Sequence, residues 1–109
     1  MPYDDVTAER VRVALAPRPG ITERKMFGGL AFLLRGHMVC GVLGRDLVLR
    51  LGDDGAARAL ARKHARPMDF TGRPLRSMVY VAPAGFKTEG MLRRWLEAAL
   101  DHVETLPPK

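Results

Sequence analysis

Apolar residues recur along this chain with two different periods, and the switches between them outline the fold. Behind Asp4 and Asp5, either of which can cap a helix, Ala8, Val11 and Leu15 fall on one helical face before Pro17 and Pro19-Gly20 end the run. That spacing predicts a helix from about Val6 to Ala16. The period then drops to two. "LAFLL", "HMVCGVL" and "DLVLRLG" follow one another across Arg35-Gly36 and Gly44-Arg45, short connections of the kind hairpins use, and predict three antiparallel strands. In the third, Leu47, Leu49 and Leu51 are set toward the core and Arg50 outward. Gly52-Asp53-Asp54-Gly55 leads into a short alanine-rich helix, "AARALARKHA"; "RPMDFTGRP" is broken by Pro67 and Pro74; and "SMVYVAP" resumes strand character with Val79 and Val81 on one face. Met91, Leu92, Trp95, Leu96, Ala99, Leu100 and Val103 return to helical spacing behind Thr88, giving an amphipathic helix to Glu104 with Trp95 on its core side. The expectation is an α+β fold of order α-β-β-β-α-β-α, with strands near 30–34, 38–43, 47–51 and 78–82 in one antiparallel sheet.

Candidate chemistry thins out on inspection. Gly28-Gly29 leads into a strand rather than a helix, and no Gly-Lys-Ser/Thr follows. Backbone N–H groups and a helix dipole therefore do not converge there on a phosphate, and the pair reads as a bulge or a close backbone approach. His37 and Cys40 stand three apart on a predicted strand, where alternation sends them to opposite faces. His64 and His102 belong to separate helices, and zinc needs three or four such ligands together. Ser77, the sole serine, has no nucleophile elbow around it, and Cys40 lies among apolar neighbours as a buried thiol does. Asp53 and Asp54 suit a helix start, and Asp69 reads as a turn or ion-pair residue. No cofactor or metal is expected, and no enzymatic activity.

Composition narrows the class further. A chain of 109 residues fits one domain with one core, and its single cysteine leaves no internal disulfide. With no basic-then-apolar leader at the N-terminus, a reducing cytoplasm is expected; the longest apolar run is far too short for a bilayer. The formal net charge of +6 is unevenly placed. Between Gly55 and Arg76, Arg58, Arg62, Lys63, Arg66, Arg73 and Arg76 face the single acid Asp69, whereas Glu89, Arg93 and Glu97 on the last helix offset one another. Arg58, Arg62, Arg66, Arg73 and Arg76 are accordingly the candidate contacts to nucleic acid or to an acidic partner. With no aromatic residue beside the arginines of that helix, stacking on single strands is not expected.

Four blocks in order, "RKMFGGLAFLLRGHMVCGV", "RPMDFTGRPL", "YVAPAG" and the terminal "LPPK", resemble the N-terminal domain of the TfoX/Sxy family of competence regulators. The likeness runs from about Arg24 to Lys109. It implies an α+β domain with an antiparallel sheet, a role as transcriptional co-regulator in DNA uptake, and no established catalytic residue. Full-length regulators of that family carry a second, helical domain, so this chain is expected to act as a stand-alone version of the first. Three classes of function follow: a regulatory module binding a transcription protein or nucleic acid, a small-ligand-binding domain, or an uncharacterised enzyme. Charge favours the first. A homodimer is also expected, because a small meander leaves open sheet edges.

Overall fold

The fold was analysed in a computed structural model, which describes residues 3–26, 28–70 and 73–107. The elements are α1 (Asp5–Leu15), β1 (Ile21–Met26), β2 (Gly29–Leu34), β3 (His37–Leu43), β4 (Asp46–Arg50), α2 (Gly52–Leu60), β5 (Ala65–Phe70), β6 (Arg73–Val81), a 3-10 turn (Pro83–Phe86) and α3 (Glu89–Glu104). The α+β class is as the periodicity predicts. The element order is not, because the sheet has six strands, all antiparallel, in the order β1-β2-β3-β4-β6-β5. The two additional strands are its edges. β1 is exposed along nearly its whole length, so its sequence ITERKM has no apolar face to betray it. β5 carries Pro67, which a strand tolerates where it forms an edge.

Local chemistry sets the boundaries. The Asp4 carboxylate accepts hydrogen bonds from the backbone N–H and the hydroxyl of Thr7, at 3.0 and 2.6 Å, and starts α1. Thr88 caps α3 in the same way, its hydroxyl accepting from the Met91 N–H at 3.1 Å. Helix α2 begins at Gly52, four residues before the expected helix start, so Asp53 and Asp54 lie in its first turn and complement the dipole without capping it. It ends at Leu60, and the chain reverses through His64 at a positive φ of 74°. Gly28, at φ 77°, lies between β1 and β2, where Met26 pairs with Gly29; the glycine pair belongs to a hairpin connection, not to a bulge.

All three helices pack on one face of the sheet. Phe32, Cys40, Val42, Leu47, Leu49, Val79 and Val81 meet apolar side chains of α1, α2 and α3 in one core that includes Trp95 at 3 % exposure. The real bulge is in β3. Phe32 pairs with Cys40 but Leu33 pairs with Met38, leaving Val39 as an extra residue. That extra residue overturns the alternation expected of His37 and Cys40. His37 pairs with Leu34 and Cys40 with Phe32, both core-side residues, so the two share the helical face.

Candidate functional site

With the helices gathered on one side, the other side of the sheet has no helix over it among the described residues. Cross-strand partners in an antiparallel sheet point the same way, so the pairings can be followed from edge to edge. Arg24 stands opposite Ala31, Ala31 opposite Gly41, Gly41 opposite Val48, Val48 opposite Tyr80, and Tyr80 opposite Arg66. One residue from each strand thus forms a straight row across the helix-free face. It has an arginine at each end and the small residues Ala31, Gly41 and Val48 in the middle, over a span of about 24 Å for five strand spacings. The middle of the row is buried, Ala31 and Val48 at 0 % exposure, so it is the arginine ends that reach solvent. Larger residues border it along one side, where Leu33 pairs with Met38 and Arg50 pairs with Met78.

The ends of the row differ electrostatically. The Arg66 guanidinium lies 4.7 Å from the Tyr80 ring centroid and 2.5 Å from the Asp46 carboxylate, so it is stacked and ion-paired. Arg24 is exposed and Arg50 half-buried, and neither has an ion-pair partner among the described residues. Elsewhere arginines are held by acids: Arg10 by Glu89, Arg18 by Glu104, and Arg12 by both Glu9 and Glu23. The Arg12 pair holds the Glu23 carboxyl below the usual carboxylate range.

The five arginines named from sequence fall into separate places. Arg58 and Arg62, one turn apart, line a groove of about 620 Å³ between α2 and α3. There the Arg62 guanidinium covers the Trp95 ring at 4.1 Å, while Asp53, Asp54 and Asp101 line the same groove. Arg66 is on the opposite face of the sheet. Arg76 is exposed where β6 loses register with β5, and the side chain of Arg73 lies outside the described residues. Arg24 and Arg50, which sequence reasoning did not single out, share the open face with Arg66. Their signal was the strand alternation that turns Arg50 outward, combined with a strand order not visible in the sequence.

Other candidates resolve into structure. Burial pushes the Cys40 thiol far above its ordinary range, so it stays protonated and is a poor nucleophile. His37 Nε2 donates to the Pro107 carbonyl at 2.5 Å and ties the chain after α3 to the start of β3. Trp95 Nε1 donates to the Gly85 carbonyl at 3.0 Å. Among the described residues no group of three or more His, Cys, Asp or Glu could hold a metal ion, and no helix is long and apolar enough to cross a membrane.

An antiparallel sheet with helices packed on one face, and a row bounded by arginines running across the other, defines an α+β domain. The family model for the TfoX N-terminal domain matches residues 13–103 of the 109. The chain belongs to that family. No curated protein matches it.

Proposed function

We propose that this domain is a non-catalytic, cytoplasmic regulatory module that captures an acidic surface of a transcription protein on the open face of its sheet. The row from Arg24 to Arg66 carries the reading. Its buried middle holds the strands together, while the exposed Arg24 and half-buried Arg50 offer charge that no acid among the described residues answers. Arginine, methionine and tyrosine, which border this row, are also residue types enriched in protein interfaces. The family's resemblance to competence regulators points to transcription as the process served.

The test is fluorescence anisotropy with a labelled oligoglutamate peptide as the acidic probe. Arg50→Glu should weaken binding severalfold, whereas Arg93→Glu on α3, on the helical side, should leave it unchanged; equal affinity for Arg50→Glu and the parent refutes the assignment. A labelled DNA duplex forms the second arm. If nucleic acid is the partner, affinity falls with salt at a logarithmic slope of roughly −0.9 per phosphate neutralised. Replacing Arg24 and Arg50 with glutamate then flattens that slope.

A second reading, capture of a small ligand whose anionic group meets Arg58 and Arg62, with Asp53, Asp54 and Asp101 on the same lining, is favoured by the α2–α3 groove, whose volume of about 620 Å³ falls in the range of ligand sites and whose Arg58 and Arg62 are free of ion pairs among the described residues. Thermal stabilisation by a panel of small phosphates and carboxylates, lost on Arg58→Ala, is the corresponding result.

A further inference from the structure

We infer that the β1 edge of the sheet is a two-fold interface at which a second copy of this chain adds its own β1, joining two six-stranded sheets into one. The two edges are not equivalent. β5 carries Pro67, which lacks a ladder donor, and breaks register next to it. β1 has six residues without proline, and five of them are exposed.

Charge selects the register. In an antiparallel pairing about a two-fold axis normal to the sheet, opposed residues must point to the same face, so their residue numbers add to an even total. A total of 46 sets Glu23 against its own copy, and 50 sets Lys25 against its own copy, both like-charge pairs. A total of 44 pairs only the first three residues of β1. At 48, the pairing extends over Thr22 to Met26, and Glu23 of each copy faces Lys25 of the other, twice. The protomer is prepared for this exchange. Arg12 already holds two carboxylates, Glu9 and Glu23, so this cluster keeps one negative charge in excess. Lys25, two residues along on the same face, has no ion pair among the described residues. The second copy's Lys25 completes the cluster. On the open face the same register sets Arg24 against Arg24, an opposition that weakens the dimer without outweighing two attractive pairs and the new main-chain ladder.

Sedimentation equilibrium over a concentration series reaching roughly 1 mM, the weak end of specific association, reads the outcome. The parent should approach twice its 12.1 kDa chain mass. Glu23→Lys and Lys25→Glu should each weaken self-association roughly tenfold or more, because two attractive cross-strand pairs become repulsive. An equimolar mixture of these two variants should recover the dimer, since both 23–25 pairs are then Lys against Glu. Arg24→Thr should tighten it. A parent that stays at 12.1 kDa throughout overturns the inference, as does a dimer indifferent to Lys25→Glu or a mixture no tighter than its components. Circular dichroism of each variant separates loss of the interface from loss of the fold.

Discussion

Truncating Trp95 to alanine tests the packing of the helical layer at its most heavily connected point. The side chain is 3 % exposed, donates to the Gly85 carbonyl at 3.0 Å and lies under the Arg62 guanidinium at 4.1 Å. Removing a large buried aromatic costs about 3–5 kcal/mol through lost transfer energy and the cavity left behind. The Gly85 carbonyl also loses its donor, which adds about 1–3 kcal/mol where water does not replace it. Domains of this size have about 5–15 kcal/mol in all, so the variant should sit close to unfolding. Two milder changes separate the contributions. Trp95→Phe keeps most of the packing and should show chiefly the hydrogen-bond loss, about 1–3 kcal/mol. Arg62→Met, leaving the indole in place, should cost only about 0.5–1 kcal/mol for an exposed cation over a ring. Urea titration followed by far-UV circular dichroism is the assay, because the chain's one tryptophan is the residue removed. A Trp95→Ala midpoint equal to the parent's at unchanged slope refutes the packing argument; a Phe variant as unstable as the Ala variant assigns the loss to the hydrogen bond instead.

The Cys40 thiol, ordinarily ionising near pH 9.0, is held protonated in the fold by burial, so above that pH the unfolded chain releases a proton that the folded one keeps, and stability falls as pH rises. Between about pH 8 and pH 10.5 the parent should lose about 2 kcal/mol more than Cys40→Ala does, measured by urea titration at each pH; parallel losses would place the thiol in contact with water. Gly52 has φ 77°, and a Cβ there would lie 2.7 Å from the His102 ring, so Gly52→Ala should lower the melting temperature, with about 1–2 kcal/mol from the left-handed backbone alone. Adding His102→Ala should recover only the steric share; full recovery would mean the backbone carries no strain.

The elements legible in the sequence are those with one buried face and one exposed one. α1, α3 and the central strands announce themselves because Ala8-Val11-Leu15, the Trp95 stripe and Leu47-Leu49 must repeat with the period of their element to reach a common core. β1 and β5 lack that constraint. An edge strand such as ITERKM, exposed on both faces, has no pattern to display, and its pairing with β2 is a tertiary fact. The arginine cluster of the sequence is dispersed in the fold for a related reason. Arg58, Arg62 and Arg66 are close in sequence, but the reversal through His64 carries the chain from the helical layer to the far edge of the sheet and turns Arg66 to the opposite face. The row ending in Arg24 and Arg66 draws one residue from each of six strands, so it exists only once their order and register are set.

The bulge at Val39 gives the sheet a place where its length is negotiable. A chain lacking Val39 would keep Cys40 opposite Phe32, Met38 opposite Leu33 and His37 opposite Leu34, and would give up one buried side chain in return for an unbroken ladder. A deletion between Gly41 and Leu43 would instead turn one end of β3 over and exchange its inner and outer residues. Single-residue length variation within this strand therefore has one tolerated address, beside the bulge, and alignments of related chains that place a gap elsewhere in β3 would misassign which residues face the helices.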